Sequence, residues 1–382
     1  MKVLVVTPSY PRFKGDYYGR FVHDLCCKLA KNGIDLKVLA PRSKSSEAFQ
    51  TIFEVRRFPY LPFQAYELLP ERTMKGAPLR HLVQLPTYLL SAFFHLSAES
   101  TNIVHIHLAI PLGFVSTFNP RRTPLIVTCH GSDCTLPYKD PVYRPFVKHT
   151  LKKADRVVAV SNFIRRLTIG LGAPPDKVET IYLGVDTAKF QPPEDRAIVK
   201  EKFGVPAHRL VIGTLGRLVP DKRVEDFIRA AAIVSKELDV RFLIGGEGPQ
   251  RKHLEALASR LSLENVSFLG EVRDSMWFHR LCDIFVLASV REGLSMSLQE
   301  AMATGCVPVA VNGYGCPELV SEDDNGFLFP PGDVEGLSEK IMRAASNLDL
   351  GKRARETVEE RFDSEKNAER YVELYHDLIS NR

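Results

Sequence analysis

Two glutamates, Glu292 and Glu300, stand eight positions apart in the segment REGLSMSLQEAMATG. The apolar run DIFVLAS before them predicts a strand, and the residues after Gly-Leu-Ser have the pattern of a helix. Carboxylates at such a strand end could contact a ligand, because loops there lead into helix N-termini. Glu300 also has a structural explanation, since Ser297-Leu-Gln-Glu300 fits a capping box. Glu292 precedes a glycine in the loop and has no such explanation.

Two cations follow an earlier predicted strand. In VIGTLGRLVPDKRVEDFI, Arg217 comes directly after Gly216, and Lys222 comes five residues later. Arginine offers a planar fork and lysine a point charge, so the two could hold a diphosphate. They could also be solvated loop cations, and alone the pair is a weak signal.

Glycines mark a third strand end. FLIGGEGPQRKHLEAL has Gly245, Gly246 and Gly248 after an apolar run, but it lacks the third glycine of G-x-G-x-x-G. A dinucleotide-binding loop is therefore not predicted. Two interpretations stay open: a close approach of the backbone to a ligand or a facing domain, and a tight strand–helix turn.

Two loops of the first half are further candidates. LIVTCHGSDC places His130 beside Gly131 just past a predicted strand, where a ligand could approach closely; a structural histidine is the alternative. In YPRFKGDYYGRFVHDL, Gly15 lies in the first loop and Gly19 opens the first predicted helix. That helix N-terminus could face a phosphate or an acceptor molecule, and a flexible turn is the alternative.

The sequence lacks the usual metal-binding patterns. No Asp-x-Asp occurs, which argues against metal-held phosphates, and the seven cysteines include no C-x-x-C pair. We therefore predict reduced thiols in a cytosolic protein rather than a zinc site.

Strand-like apolar runs alternate with helix-period stretches along the chain. Such runs predict parallel strands covered on both faces, and 382 residues are too many for one typical core. The alternation restarts after a linker at Pro192-Pro193, so we expect two doubly wound α/β domains, at 1–190 and 191–363. The predicted strands are KVLVVTP, LKVLAP, NIVHIHLAI, PLIVTCHG and RVVAVS in the first domain, and RLVIGTLGRL, VRFLIGGEG, VSFLGEV, DIFVLAS and VPVAVN in the second.

The last segment predicts an amphipathic helix within 364–382. Its residues spaced for burial on one face are Ala368, Tyr371, Val372, Leu374 and Tyr375.

Charge divides unevenly between the halves. The net charge is +5, with +12 in residues 1–190 and −7 in residues 191–382. A basic first half favours an anionic partner such as an acidic lipid surface, a phosphorylated acceptor or nucleic acid, although a solvated surface without a partner also explains it. No aromatic-interleaved basic motif supports nucleic acid. The N-terminus is typical of a first strand rather than a signal peptide, and no apolar stretch is long enough to span a bilayer.

The stretch 41–100 is less regular and rich in aromatics and leucine. We expect TYLLSAFFHL within it to be a core helix. Contact with a membrane surface is the hypothesis for the basic flank. That flank comprises Arg56, Arg57, Arg72, Lys75 and Arg80.

Taken together, the segments GRLVPDK, GGEGP, VSFLGEV, VREGLSMSLQEAMATGCVPVA and ELVSEDDNGFLFPPGD resemble, in order and spacing, the retaining glycosyltransferases of family 4. YLGVDTAKF is similar to the family's segment at the interdomain linker, and Glu292 and Glu300 form its E-x₇-E motif. The resemblance covers nearly the whole chain and is densest over 211–335. It implies the GT-B fold: two Rossmann-like domains facing across a cleft, an acceptor domain at 1–190 and a donor domain at 191–363, with the last helix crossing back to the first.

The resemblance also implies residue roles. Arg217 and Lys222 would hold the donor diphosphate, Glu300 would bind the nucleotide ribose, and Glu292 would face hydroxyls of the donor sugar. His130 would lie beside that sugar, and Gly19 would lie where the first loop meets phosphate and acceptor. His130, Glu292, Arg217 and Lys222 would form the catalytic group. The other implied donor-site residues are Gly216, Gly246, Glu247, Val272, Gly293, Leu294 and Ser295.

Two departures from the family pattern concern the sugar pocket and the acceptor side. Gly293-Leu294-Ser295 stands where the family usually has Gly-Phe-Gly, and the first loop has Gly15 and Gly19 separately instead of a Gly-Gly pair.

The expected activity is transfer of a hexose-type sugar, with retention, from a UDP- or GDP-sugar to a glycan, glycolipid or lipid-linked acceptor. No metal or other cofactor is expected. The expected setting is surface glycan assembly, in the cytoplasm or peripherally on the inner face of the cytoplasmic membrane. A GT-B epimerase, a small-molecule glycosyltransferase and a non-catalytic sugar-nucleotide-binding protein are the alternatives.

Overall fold

The computed structural model describes residues 1–43, 46–47, 51–61 and 80–380. The chain forms two compact units. The first comprises Met1–Leu183 and Glu365–Arg382, and the second comprises Gly184–Ser364.

A seven-stranded, wholly parallel sheet forms the centre of the first unit. Its strands are β1 (Lys2–Val6), β2 (Asp35–Pro41), β3 (Glu54–Phe58), β4 (Ile103–His107), β5 (Leu125–Cys129), β6 (Arg156–Ala159) and β7 (Val178–Thr180), in the order β3-β2-β1-β4-β5-β6-β7. The helices are α1 (Arg20–Lys31), α2 (Arg80–Ala98), α3 (Phe114–Ser116), α4 (Ser132–Lys139), α5 (Arg144–Lys153) and α6 (Asn162–Gly170).

The second unit contains a six-stranded parallel sheet. Its strands are β8 (Leu210–Leu215), β9 (Val240–Gly245), β10 (Val266–Gly270), β11 (Ile284–Leu287), β12 (Val307–Val311) and β13 (Phe327–Phe329), in the order β10-β9-β8-β11-β12-β13. The helices are α7 (Arg196–Lys202), α8 (Val224–Val234), α9 (Arg251–Arg260), α10 (Ser275–Leu281), α11 (Met296–Ala303), α12 (Val334–Ala345) and α13 (Leu350–Arg361); α14 (Ser364–Ser380) then returns the chain to the first unit.

The central strands of each sheet are apolar, as expected for parallel strands that are covered on both faces. Every residue of β4, β5, β11 and β12 is buried. All ten predicted strands are present, and the prediction of two doubly wound α/β units is confirmed. Strand β3, in which three of five residues are charged, and the three-residue strands β7 and β13 were not predicted. The assignment of acceptor and donor domains to 1–190 and 191–363 stays a prediction.

Helix α14 packs into the core of the first unit. Ala368, Tyr371, Leu374 and Tyr375 are buried there, as predicted, and Val372 is partly buried. The Tyr375 hydroxyl lies 2.6 Å from Nδ1 of His105 on β4, so the last helix is tied to the centre of the first sheet.

The predicted core helix of the irregular stretch is α2. Tyr88, Ala92 and Leu96 are buried, whereas Leu90 and Phe94 are exposed. Arg72 and Lys75 of the basic flank lie outside the described residues. Among the helices in the described part of the chain, none is long and apolar enough to cross a membrane.

Candidate functional site

The candidate site of the second unit lies where its sheet changes winding direction. Strands β8 and β11 are neighbours, but the chain continues from β8 to β9 on one side and from β11 to β12 on the other. Loops that leave two such strands diverge and open a crevice at their carboxyl ends. The β8 loop carries Arg217 and Lys222, and the β11 loop carries Glu292, so the fold brings together the residues singled out in the sequence.

Lys222 and Glu292 form an ion pair at this crevice. The Lys222 Nζ donates a hydrogen bond to Oε1 of Glu292, and the Ser289 hydroxyl donates to the same oxygen at 2.7 Å. Burial alone would raise the pKa of Glu292, but the charge and hydrogen bond of Lys222, the Ser289 hydrogen bond and the charge of Arg217 together hold it below its ordinary value. Glu292 is therefore an ionised acceptor at neutral pH.

Arg217 has a different environment. Its side chain is exposed, and within the described residues it has no ion pair or side-chain hydrogen bond. It nevertheless lies close enough to Glu292 for its charge to lower that pKa. A Cβ added to Gly216 would contact Lys222 Cε at 3.7 Å, so the lysine side chain runs beside this glycine. Arg217 is thus the cation with free capacity for an anionic ligand.

A second set of contacts fixes the two loops to each other. The Asp221 carbonyl accepts the Val290 N–H at 2.9 Å and the Ser289 hydroxyl at 3.3 Å, and the Asp221 carboxylate pairs with Arg291. Asp221, Ser289 and Arg291 are not among the predicted site residues. No sequence pattern indicates them, because these contacts join residues about 70 positions apart.

Helix α11 begins earlier than the capping box requires. Ser295 is the N-cap, and its hydroxyl accepts the Leu298 N–H at 3.3 Å. The capping-box prediction for Ser297 and Glu300 is therefore wrong: Ser297 is already helical, and Leu298 occupies the third helical position. Ser295, at a position where the family usually has glycine, thus supplies the cap of the helix.

Glu300 is free of the capping role and faces a buried histidine. Its Oε2 lies 3.3 Å from Nε2 of His279 on α10. Neither ring nitrogen of His279 has a well-formed hydrogen bond within the described part of the chain. The Glu300 side chain as a whole keeps 17% of its surface exposed.

The loop between Glu292 and α11 is packed against the next loop. Leu294 is buried, and the Glu292 carbonyl accepts the Gly315 N–H at 3.2 Å. A Cβ on Gly315 would lie 2.1 Å from the Gly293 carbonyl oxygen, so only glycine allows this approach.

The glycines after β9 approach the β8 loop through their backbones. Gly246 has φ +125°, and a Cβ there would lie 1.9 Å from the Gly216 carbonyl oxygen. A Cβ on Gly248 would lie 2.4 Å from the Leu218 carbonyl oxygen. The close backbone approach of these glycines is to the neighbouring loop of the same unit, and their approach to a ligand or a facing domain stays a prediction.

Glu247 and Val272 are the other predicted donor-site residues near the loop that follows β8. The Glu247 carbonyl accepts the Leu218 N–H at 2.9 Å, while its carboxylate pairs with Arg251. Val272 follows β10 and lies near Gly245.

The remaining candidates, Gly19 and His130, belong to the first unit. Gly19 has φ +67° and opens α1, and a Cβ there would lie 2.3 Å from the Ser9 carbonyl. Glycine is therefore required by the packing of the first loop. Within the same loop, Gly15 has φ +89° and open space around it.

His130 does not stand alone. Its Nε2 lies 2.8 Å from Nδ1 of His107, the last residue of β4. His107 is not among the predicted site residues, although a signal existed: the predicted strand NIVHIHLAI carries it near its end, and the next predicted strand, PLIVTCHG, carries His130 near its end.

The turn after His130 is organised by Asp133. One carboxylate oxygen accepts the N–H groups of His130 and Gly131, and the other accepts the Ala109 N–H at 3.0 Å. Cys129 and Cys134 approach the same carboxylate. Backbone N–H groups engage both oxygens of the Asp133 carboxylate. The cluster of Asp133 with the two cysteines therefore has a structural explanation: it stabilises the turn.

Two family models match the chain. "Glycosyltransferase Family 4" matches residues 18–189, and "Glycosyl transferases group 1" matches residues 195–361. Together they account for most of the sequence.

Curated relatives are similar over most of their length. The chain is 27% identical to N-acetyl-alpha-D-glucosaminyl L-malate synthase of Bacillus anthracis, over 84% of this chain and 87% of the relative. It is 28% identical to UDP-Gal:alpha-D-GlcNAc-diphosphoundecaprenol alpha-1,3-galactosyltransferase of Escherichia coli, over 77% and 80%.

Solved structures share the fold over the full chain. Sucrose-phosphate synthase from Thermosynechococcus elongatus superposes with a TM-score of 0.84 at 19% identity and covers 100% of both chains. Anabaena Alr3699/HepE in complex with UDP gives 0.79 at 22% identity, over 99% of this chain and 100% of that one. With its two doubly wound units and both family models, the chain belongs to the GT4-type glycosyltransferases and has the GT-B fold.

Proposed function

We propose that this glycosyltransferase moves a hexose-type sugar, with retention, from a nucleotide-diphosphate sugar to a glycan, glycolipid or lipid-linked acceptor. The observation that carries the proposal is the cluster of Arg217, Lys222 and Glu292 at the switch point of the second sheet. It offers one exposed cation without an ion pair among the described residues, one paired cation and one ionised carboxylate at a crevice.

This cluster suits departure of a diphosphate. As the bond between the anomeric carbon and the phosphate oxygen breaks, negative charge grows on the leaving group and positive charge on the sugar. Cations fixed in advance stabilise such charge most effectively. Arg217 and Lys222 would bind the diphosphate, and the ionised Glu292 would accept hydrogen bonds from sugar hydroxyls.

Retention would follow from attack on the same face of the sugar that the diphosphate leaves. The acceptor oxygen bonds to the anomeric carbon, and its proton passes to an oxygen of the departing phosphate. Glu292 is unsuited to the alternative of a covalent sugar–enzyme intermediate, since its carboxylate is engaged by Lys222 and Ser289.

The donor is proposed to be a UDP- or GDP-sugar. Supporting examples are Alr3699/HepE, which is described in complex with UDP-glucose, and the relatives whose names specify UDP-Gal and GDP-mannose. The epimerase alternative has less support, because the family models and the named relatives are transferases.

A nucleotide-sugar screen tests this function. We expect one UDP- or GDP-sugar to raise the Tm and to be consumed when a glycan or lipid-linked acceptor is added, and NMR should show the donor's anomeric configuration in the product. Inversion would contradict retention. Transfer only to a small hydroxy acid would contradict the acceptor class, and epimerised nucleotide sugar would contradict transfer itself.

The reaction is proposed to need no metal, because cationic side chains would neutralise the diphosphate. We expect EDTA to leave the initial rate of transfer within about twofold. A control with EDTA already saturated by Ca²⁺ distinguishes an effect of metal chelation on the rate from an effect of the added ionic strength. Strong inhibition that Mg²⁺ or Mn²⁺ reverses would refute metal independence.

Peripheral association with the inner face of the cytoplasmic membrane is proposed for the basic first half. We expect anionic vesicles to bind the protein at low salt and to release it as salt screens the charges, whereas zwitterionic vesicles should not bind it. Absence of binding to anionic vesicles at low ionic strength would end this hypothesis.

A further inference from the structure

The pair of histidines in the first unit has a defined geometry. Strands β4 and β5 run in parallel register with His107 opposite Thr128, so the end of β4 meets the turn that carries His130. The two ring planes lie 22° apart with a centroid separation of 5.1 Å, and His107 Nδ1 and His130 Nε2 are 2.8 Å apart, so the rings meet edge to edge through these nitrogens. That distance is a hydrogen bond, so one of these nitrogens carries the proton and the other accepts it.

Both rings are neutral at physiological pH. Burial lowers the pKa of His130 to about 3. Burial and the neighbouring histidines lower the pKa of His107 well below its ordinary value. Only two arrangements of the shared proton are therefore available.

The environment of His107 distinguishes the two arrangements. Its Nε2 is buried and has no hydrogen-bond partner within the described residues. If His130 donated, this nitrogen would have to carry a buried N–H without an acceptor. If His107 donates through Nδ1, Nε2 keeps only an unused lone pair. Buried N–H groups without acceptors are rarer in folded proteins than acceptors without donors, which favours donation by His107.

We infer that His107 is a positioning residue: it donates through Nδ1 to His130 Nε2, and thereby fixes His130 as the tautomer that carries its proton on Nδ1. The Phe21 ring, 4.8 Å from the His130 ring, and the backbone contacts of Asp133 hold the rest of the side chain in place. Within the described residues, the His130 Nδ1–H has no acceptor of its own and remains available to a ligand.

The consequence for catalysis rests on the proposed function. With its proton on Nδ1, a neutral His130 is a hydrogen-bond donor and suits an oxygen of the donor sugar. The opposite tautomer would present a bare nitrogen and would require a hydroxyl to donate instead. His107 would thus set which kind of sugar oxygen the first unit recognises.

Histidine-ring NMR tests the inference without any substrate. In protein labelled with ¹⁵N-histidine, we expect His130, assigned by its loss in His130→Asn, to show a protonated Nδ1 and an unprotonated Nε2. In His107→Phe, which keeps a ring but has no donor, the proton should shift to Nε2 or be shared. His107→Asn, which keeps an N–H near the position of Nδ1, should preserve the native tautomer.

His105→Asn is the matched control. His105 is buried on the same strand and is hydrogen-bonded to Tyr375 and Thr128 rather than to His130. Its replacement should cost stability but leave the His130 tautomer unchanged.

The wild-type spectrum alone can overturn the inference: an Nε2–H tautomer of His130 would do so, even if a variant failed to fold. An unchanged tautomer in folded His107→Phe would also overturn it. Once a sugar donor is known, His107→Phe should lower kcat/KM by roughly 10- to 100-fold, the range found when partners that orient metal-binding histidines are removed, with recovery in His107→Asn. If no nucleotide-sugar donor is found, the proposed function is contradicted, but the NMR result on the His130 tautomer remains valid.

Discussion

Replacing Arg217 with alanine is expected to lower kcat for sugar transfer by about 100- to 1000-fold, the range seen when one preorganised donor to a developing charge is removed. The reason is the growth of negative charge on the leaving diphosphate, which the guanidinium would neutralise. Because Arg217 is exposed and makes no ion pair within the described residues, the variant should keep the wild-type Tm.

Lys222→Ala is expected to lose a similar factor in kcat but also to lose stability. The lysine neutralises Glu292, whose carboxylate is mostly buried, and an unpaired buried carboxylate is costly. Adding Glu292→Gln to Lys222→Ala should therefore recover Tm without recovering turnover. This pattern separates the catalytic role of the lysine from its structural role.

Arg273→Ala is the control for both variants. Arg273 is a highly exposed arginine in the loop after β10 of the same sheet, and nothing assigns it to the site. Steady-state kinetics with the identified donor should show unchanged turnover for this variant. Near-normal kcat in both Arg217→Ala and Lys222→Ala would refute the diphosphate assignment.

Gly246→Ala is expected to produce the largest loss of stability, roughly 3 kcal/mol or more in the free energy of unfolding. Two effects combine at this position. The φ of +125° is rarely adopted by residues with side chains, and the new Cβ would lie 1.9 Å from the Gly216 carbonyl oxygen. Relief of that clash would displace the loop that carries Arg217, so donor binding should weaken as well.

Gly204→Ala separates these two effects. Gly204 has φ +69° and nothing within 4 Å of an added Cβ, so only backbone strain of about 1 kcal/mol is expected there. Denaturant unfolding of both variants, followed by fluorescence of the single tryptophan in the second unit, gives the comparison. Equal losses would show that the approach of Gly246 to Gly216 does not constrain the loop.

Much of the fold could be predicted because its signals are local. A buried parallel strand needs a continuous apolar run, and ten such runs were recognisable. Strand β3 was missed because its central arginines interrupt that run, and β13 because three residues carry too little pattern. The start of α11 depends on the dihedral angles of Ser295, which composition does not specify.

The sequence by itself determined the two doubly wound units, the amphipathic last helix and the residue types at the strand ends. Only the tertiary structure decided which of those residues meet. Lys222 and Glu292 are 70 positions apart and pair because β8 and β11 are neighbours, and His107 reaches His130 because β4 lies beside β5. The periodicity of hydrophobic residues and the residue preferences of turns act over a few positions. The order of the strands, by contrast, is set by the packing of the whole sheet. The candidate site forms because of that strand order.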